Sequence, residues 1–201
     1  KDNITKSVSK FYTQNPFPNY DNFENKHSII EKGNKNIFIK KCKDFIGYNK
    51  LVLEAGSGTC QLSNYLAIGT NNQIFALDPT MQSLKLGSDF ALKNNLTNII
   101  FVNADLLDKV FKDNVFDFIY CSGVLHHTKD PSRCFDTLTN YLKKDGHIVL
   151  GLYNKYGRIR TYIRKFIYKY ISKKIAIFLD PVLRKIDSKS TDKINAWIQD
   201  Q

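Results

Sequence analysis

The amino-acid sequence predicts an α/β protein built around a doubly wound, mostly parallel sheet. From Leu51 onward, short apolar runs alternate with stretches of helical periodicity, which is the pattern of parallel strands covered by helices on both faces. Four of these runs end in glycine or polar residues, at the edge where open parallel sheets bind ligands. No internal repeat is visible, so the pattern predicts one sheet rather than a repeat array.

Five strands are predicted, each an apolar run followed by a turn or a polar residue: 51–53, 74–77, 99–102, 116–120 and 148–152. The helix after the first strand is predicted to stop at Gly69, and its apolar residues are Leu62, Tyr65 and Leu66. The helix after the second strand is predicted to close at Asn94, with an apolar stripe of Met81, Leu84, Ala91 and Leu92.

The helix before the fifth strand has the clearest boundaries in the sequence. Asp130 is suited to cap its N-terminus, and Pro131 suits its first turn. Gly146 is expected just past its last turn. Its apolar stripe is predicted to contain Cys134, Phe135, Leu138, Tyr141 and Leu142.

The composition is that of a globular protein, with 201 residues of which 42% are hydrophobic and 24% charged. No apolar run approaches the roughly 18 residues that span a bilayer. The chain begins at Lys1, without an initiator Met or a signal peptide, so we expect a piece of a longer protein. The cysteines are scattered and form no Cys-x-x-Cys pair, which argues against a zinc knuckle or a disulfide framework and favours a cytoplasmic protein.

The net charge of +11 is compatible with nucleic-acid binding. The chain is also rich in Lys, Asn and Ile together, which is the bias that an AT-rich genome imposes on any protein. The total charge therefore leaves both interpretations open.

The ends of the first four predicted strands carry the candidate functional residues. Gly56 and Gly58 follow the first strand, and glycine there allows a tight turn and a close approach of another molecule to the backbone. Asp78 ends the second strand, at the position from which a carboxylate accepts hydrogen bonds from ribose hydroxyls. Asp105 ends the third strand, and the run 121–123 ends the fourth.

The glycine loop departs from the dinucleotide-binding fingerprint. Gln61 stands where that fingerprint has its third glycine, which argues against NAD or FAD. No Gly-Lys-Ser/Thr follows the loop, so it is not a P-loop either.

Together these residues resemble the class I S-adenosylmethionine-dependent methyltransferases. The resemblance covers residues 51–154 and implies a Rossmann-like methyltransferase fold. Since that family has seven strands and only five are predicted, we expect this chain to lack its last strands. The matching motifs are the glycine loop of residues 51–59, the acid Asp78, the run 103–106, the run 116–127 with its Leu-His-His, and the turn 143–148, where Asp145 replaces the usual Pro.

The resemblance implies S-adenosylmethionine as the cofactor and a role for each matched residue. Glu54 would favour the ammonium group of its methionine part, Asp78 would hold the ribose hydroxyls, and Asp105 would accept a hydrogen bond from the adenine amino group. Any one of these residues alone is better read as a turn glycine or a capping acid, but their coincidence at four strand ends favours a cofactor site. The complete implied set is Glu54, Ala55, Gly56, Ser57, Gly58, Asp78, Pro79, Asp105, Leu106, Cys121 and Ser122.

The sequence identifies no catalytic base or metal site. His126 and His127 are candidate bases, but a structural role in the loop after the fourth strand is the alternative. No carboxylate or cysteine stands nearby at metal-ligand spacing, so no metal is expected. In an N-terminal segment of residues 1–48, Phe17 and Tyr20 are candidates for a lid over the cofactor, or else pack against the core.

Residues 155–201 are predicted to form a helical cap or insertion next to the core of residues 49–154. Within them, residues 155–174 have the pattern of a basic amphipathic helix. Three interpretations remain open for this helix: packing on the domain with solvated lysines outside, binding of RNA, or binding of an anionic membrane surface.

The predicted function is transfer of a methyl group to an unidentified acceptor, with a small molecule favoured. No Asn/Asp-Pro-Pro-Tyr/Phe sequence follows the fourth strand, which leans against methylation of base amino groups. Two other classes of protein remain as alternatives: an NAD-dependent oxidoreductase on a related sheet, and a non-catalytic methyltransferase-like RNA-binding module.

Overall fold

The computed structural model describes residues 24–152, together with residues 9, 10, 12, 13, 16, 20, 154, 163, 166 and 170. The chain divides into two compact units, Lys1–Leu152 and Tyr153–Gln201. Most of the second unit, and with it the predicted basic helix of residues 155–174, lies outside the described residues. In the part of the chain that the structure describes, no helix is both long and apolar enough to cross a bilayer.

The first unit contains five strands and five helices within residues 24–152. The helices are α1 (Lys26–Lys35), α2 (Ile37–Ile46), α3 (Gln61–Ala67), α4 (Met81–Lys93) and α5 (Pro131–Tyr141), with a short 3-10 helix at Leu125–His127. The strands are β1 (Leu51–Ala55), β2 (Gln73–Asp78), β3 (Ile99–Asn103), β4 (Phe116–Ser122) and β5 (Leu142–Gly151).

The five strands form a single parallel sheet in the order β3-β2-β1-β4-β5. The chain first moves outward from β1 through β2 to β3, then crosses back to β4 on the other side of β1. The carboxyl ends of β1 and β4 therefore flank the point where the strand order reverses, which is where such sheets bind ligands. The predicted doubly wound α/β fold is confirmed.

Helices cover both faces of the sheet because alternate strand residues point to opposite sides. The core under α1, α2, α3 and α4 buries Ile29, Ile46, Val52, Tyr65, Leu66, Ile74, Phe90 and Phe118. The core under α5 buries Leu53, Leu77, Phe116, Ile119, Cys134, Leu138 and Tyr141. The central strands are thus buried on both sides, as their nearly continuous apolar sequences predict.

The prediction for the end of α5 was wrong. The helix ends at Tyr141, and β5 begins directly at Leu142 rather than at residue 148. Phe116 pairs with Leu142 and Phe118 with His147, so an advance of two positions along β4 corresponds to an advance of five along β5. The segment with the expected turn is therefore an irregularity inside a longer strand, and Gly146 packs against the Phe116 carbonyl instead of ending the helix.

The predicted apolar stripe of α4 was partly wrong. Met81 is 57% exposed and Leu92 is 78% exposed. Leu84 and Ala91 are buried as predicted, and Phe90, which was not predicted, is buried beside them. At 3.6 residues per turn, positions 81 and 92 lie on the solvent side of this face.

Candidate functional site

The loop after β1 is fastened to the end of β2. The backbone N–H groups of Gly56 and Ser57 both donate to the Leu77 carbonyl, at 2.8 and 3.0 Å. Gly56 has φ +73°, and a Cβ there would overlap the side chain of Val124. Both the backbone conformation and the neighbouring side chain therefore require glycine at this position.

Asp78 joins the glycine loop to the start of α4. Its Oδ2 accepts from the Gly58 N–H and its Oδ1 from the Thr80 N–H, both at 2.8 Å. The side-chain amide of Asn103 donates to the Asp78 carbonyl at 3.0 Å. A carboxylate can accept about four hydrogen bonds, so the Asp78 side chain is of a kind that can accept from ligand hydroxyls as well as from backbone N–H groups.

Glu54 is a buried carboxyl group beneath the loop, 7% exposed. The Ser63 hydroxyl of α3 donates a hydrogen bond to Glu54 Oε2. Burial raises the pKa of Glu54 to about 8, although the hydrogen bonds from Ser63 oppose this shift. A positively charged group bound beside Glu54 would favour its ionised form.

The end of β3 and the segment after β4 line one cleft with the loop. Asp105 is 5% exposed, and its Oδ1 accepts from the Leu107 N–H at 3.0 Å. Leu106 is buried in the core under α5. The structure thus brings residues that follow four strands to one place, and the cleft is lined by Gly56, Pro79, Asp105, Leu106, Val124, His127 and Thr128.

The end of β4 carries two predicted site residues with different environments. Cys121 is 1% exposed, and burial raises the pKa of its thiol to about 12. The thiol is therefore protonated at neutral pH and is not an activated nucleophile. Ser122 is exposed, and it is paired in register with Gly151, where a Cβ would overlap the Ser122 hydroxyl.

The glycine loop packs closely against α4 where Cys60 of the loop meets Gly87 of the helix. In the dinucleotide-binding fingerprint, a third loop glycine allows the close packing. Cys60 has φ +60° just before α3 and is fully buried. A Cβ on Gly87 of α4 would lie only 2.6 Å from the Cys60 Cβ. The close approach of helix and loop is therefore made possible by a glycine in the helix.

Sequence reasoning missed Ser63, Gly87 and Val124 as parts of this site. Gly87 had a readable signal, since an isolated glycine inside a helix commonly marks close packing. Ser63 and Val124 had none, because their contacts with Glu54 and Gly56 depend on how the elements pack.

Tyr20 packs against α3 and α4. The Asn64 side-chain amide donates to the Tyr20 hydroxyl at 2.8 Å, and the Tyr20 ring stacks on Phe90 with centroids 5.1 Å apart. Phe17, the other lid candidate, lies outside the described residues. Further contacts with the start of α4 come from Ser9, whose hydroxyl donates to the Pro79 carbonyl at 3.5 Å.

The two candidate histidines occupy the 3-10 helix after β4. Their rings are 4.1 Å apart. His127 lines the cleft described above, whereas both ring nitrogens of His126 are buried. The structure therefore separates two residues that the sequence treats alike.

The fold and the site define a class I S-adenosylmethionine-dependent methyltransferase domain, and S-adenosylmethionine is its cofactor. More particularly, residues 53–150 match the model of the family described as "Methyltransferase domain". The matched segment contains β2, β3 and β4 in full and most of β1 and β5, so the match rests on the same residues as the fold.

Curated relatives with named activities are similar to part of this chain. The tRNA U34 carboxymethyltransferase of Ruthia magnifica is 32% identical over 113 residues, which cover 56% of this chain and 34% of that protein. The demethylmenaquinone methyltransferase of Staphylococcus carnosus is 27% identical over 142 residues, covering 68% of this chain and 56% of that protein. The chain thus spans less than two thirds of the length of either relative.

A solved structure supports the fold. The S-adenosylmethionine-dependent methyltransferase of Aquifex aeolicus aligns with a TM-score of 0.51 and 18% identity, covering 66% of this chain and 72% of that one. Likeness at this level of identity establishes the architecture and leaves the acceptor open.

Proposed function

We propose that this protein transfers the methyl group of S-adenosylmethionine to a small-molecule acceptor. The observation that carries the proposal is the meeting of Gly56, Pro79 and Asp105, which follow three neighbouring strands, around one cleft. These groups offer the donors and acceptors that an adenosine with an attached amino acid requires.

Each part of the cofactor has a chemically suited partner in this site. Asp78 carries a carboxylate, which is suited to accept hydrogen bonds from the ribose hydroxyls. Asp105 accepts from the adenine amino group, with the Leu106 backbone beside the ring. Glu54 is a buried carboxyl group whose ionised form is stabilised by the cofactor ammonium group, directly or through water.

When bound, S-adenosylmethionine would supply a methyl group activated by its sulfonium: the acceptor nucleophile would form a bond to the methyl carbon as the carbon–sulfur bond breaks and S-adenosylhomocysteine leaves. The protein would align the acceptor with this methyl group and exclude water from it. Cys121 and Ser122, at the end of β4, would line the space beside the sulfonium. Any proton that the acceptor must lose passes to a base or to solvent.

The acceptor is proposed from the site and from the matched families. One relative is named for its action on tRNA U34 and another for its action on demethylmenaquinone, so the same core serves different acceptors. The lack of an Asn/Asp-Pro-Pro-Tyr/Phe sequence after β4 favours a small molecule over a base amino group. We further propose a cytoplasmic location, with RNA or an anionic membrane surface as possible partners of residues 155–174.

Calorimetric titration with S-adenosylmethionine, S-adenosylhomocysteine and NADH tests the proposal. We expect micromolar binding of both adenosyl compounds, strong weakening in Asp78→Ala, and no binding of NADH. Asp113→Ala, an exposed acid paired with Lys109, is the matched control and should bind like wild type. A folded protein that binds neither adenosyl compound would contradict the enzymatic function and favour a non-catalytic module.

A further inference from the structure

The outer face of α2 presents large apolar side chains to solvent. Ile37 is 70% exposed, Phe38 54% and Phe45 62%, and Tyr48, two residues past the end of the helix, is 65% exposed. At 3.6 residues per turn, positions 37, 38, 41 and 45 fall within a sector of about 100°. Monomeric domains rarely group exposed apolar side chains in this way, so this outer face indicates a binding surface.

The opposite face of α2 fastens the helix to the domain. Ile46 is buried and Ile39 packs against the same core. The Lys43 ammonium group donates to the carbonyls of Tyr65 and Ile68, at 2.5 and 2.6 Å. The helix cannot turn its outer residues inward without breaking these contacts, and its apolar outer face is therefore a fixed feature of the surface.

The Phe45 ring is held in place although most of it is exposed. It meets the His147 ring of β5 edge-on, with centroids 4.8 Å apart, and lies 6.3 Å from the Phe118 ring of β4. A ring that its neighbours already orient loses little conformational freedom on binding. Its exposed part can therefore contribute to transfer into an apolar environment.

Lysines accompany the apolar side chains on this face. Lys41 lies within the apolar sector, Lys40 lies next to it in the sequence, and both are exposed. Among the residues that the structure describes, neither forms an ion pair. The one acid of the helix, Asp44, interacts electrostatically with the half-buried Lys43. The outer face thus combines exposed apolar groups with positive charge that no acid of α2 offsets.

This combination fits an anionic lipid surface better than a protein surface. The centres of protein interfaces are depleted in lysine, whereas Lys41 stands one helical turn from both Ile37 and Phe45. At a membrane, the stems of lysines lie along apolar surface while their ammonium groups reach the phosphates. Phenylalanine and tyrosine side chains enter the boundary between head groups and acyl chains.

We propose that α2 is a membrane-contact helix, which binds anionic phospholipid head groups through Lys40 and Lys41 and inserts Phe38 and Phe45 among them. A helix of ten residues is too short to span a bilayer, so it lies in the plane of the surface. The contact uses no residue of the proposed cofactor site.

Co-sedimentation of the full chain with lipid vesicles tests the proposal. One set of vesicles contains phosphatidylcholine alone, and the other contains phosphatidylcholine with an equal amount of phosphatidylglycerol. We expect binding to the mixed vesicles that weakens at high salt, and little binding to phosphatidylcholine alone.

Two double variants should weaken binding to the mixed vesicles. Each lysine near an anionic surface contributes about fivefold to binding, so Lys40→Gln/Lys41→Gln should lose at least about tenfold. Phe38→Ser/Phe45→Ser should lose at least about tenfold through its missing apolar surface. The matched control is Met81→Ser/Leu92→Ser, which removes two exposed apolar side chains from α4 and should bind like wild type. Thermal unfolding confirms that each variant is folded.

A fluorescent reporter locates the contact directly. Trp197→Phe removes the one tryptophan of the sequence, and Phe38→Trp in that background places an indole on the outer face of α2. Its emission should shift to shorter wavelength on addition of the mixed vesicles, because the indole leaves water. Unchanged emission while the protein sediments with the vesicles would overturn the proposal.

The remaining outcomes also decide the proposal. Sedimentation of the wild-type protein with neither kind of vesicle would overturn it, as would equal binding to both. Ile163 and Phe166 are exposed in the second unit, and loss of binding in Ile163→Ser/Phe166→Ser alone would assign the contact to that unit instead. Vesicle binding that persists in Phe38→Ser/Phe45→Ser, together with loss of a dimer in sedimentation velocity, would mean that a second copy covers this face.

Discussion

Gly87 of α4 lies so close to Cys60 that a methyl side chain at position 87 would overlap Cys60. An added Cβ would stand 2.6 Å from the Cys60 Cβ and 2.8 Å from the Thr59 carbonyl. The Asn64 amide also donates to the Gly87 carbonyl at 3.2 Å, which ties α3 to α4. The glycine loop thus packs directly against α4, and this close contact requires glycine at position 87.

Gly87→Ala should therefore destabilise the protein and weaken cofactor binding. Overpacking costs about 1–3 kcal/mol, and the better helix propensity of Ala returns about 1 kcal/mol. We expect a net loss of up to about 2 kcal/mol in urea denaturation, with weaker S-adenosylhomocysteine binding because the loop must shift. Ser88→Ala on the same helix is the control. Full stability and affinity in Gly87→Ala would show that α4 can move away without cost.

Glu54 should make stability depend on pH in a direction opposite to that of most acids. Its folded-state pKa of about 8 lies above the usual value of 4.5, so the folded state binds more protons between these values. The free energy of unfolding therefore falls as pH rises from about 5 to 8, by up to roughly 1.4 kcal/mol per pH unit from this group. Glu54→Gln removes this dependence.

Urea denaturation of wild type and Glu54→Gln at pH 5.5 and pH 7.5 measures the effect. The difference between the two proteins should grow in favour of Gln at the higher pH. Parallel pH profiles would mean that Glu54 is already ionised in the folded protein, with a cation or water beside it.

The architecture was predictable because the local sequence pattern of each strand agrees with its place in the buried sheet. Each strand is an apolar run bounded by glycine or polar residues, and buried parallel strands need nothing more. The α5–β5 boundary failed because Leu142 fits the helical stripe and Gly146 looks like a C-terminal cap. Which structure forms there is decided by pairing with β4, a long-range contact that no local pattern records.

The site was predictable only in part for a related reason. Asp78 and Asp105 stand at strand ends, and parallel strands bring such ends to one edge. The partners that set their surroundings, such as Ser63 beside Glu54 and Val124 over Gly56, come from other elements and are fixed by packing. The sequence thus predicts the acidic residues at the strand ends, whereas the residues that pack around them can be identified only from the three-dimensional structure.

Tyr20 offers a test between packing and a lid. Tyr20→Phe keeps the ring on Phe90 and loses the hydrogen bond from Asn64, which should cost about 0.5–1.5 kcal/mol. Tyr20→Ala also removes the ring and should cost more, about 2–4 kcal/mol. If Tyr20 only packs, urea denaturation detects both losses while S-adenosylhomocysteine affinity of the folded variants stays unchanged. A drop in affinity of Tyr20→Ala beyond the loss of stability would support a lid.

Gly56→Ala should damage the site through two causes that can be measured separately. The residue has φ +73°, which costs a side chain about 1–2 kcal/mol, and an added Cβ would overlap Val124. Gly69→Ala is the matched control, because Gly69 has φ +72° and nothing within 4 Å of an added Cβ. Both variants should lose the same amount of unfolding free energy through the positive φ. The additional loss in Gly56→Ala measures the overlap with Val124.

Truncation of the facing side chain completes this test. Val124→Ala should relieve the overlap, so Gly56→Ala costs less stability in that background than in wild type. S-adenosylhomocysteine binding should remain at least tenfold weaker in the double variant, because the loop still has a side chain where the ligand approaches the backbone. Additive stability losses for the two substitutions would mean that the loop and the segment after β4 are not in contact, and recovery of full affinity would show that Gly56 serves only packing.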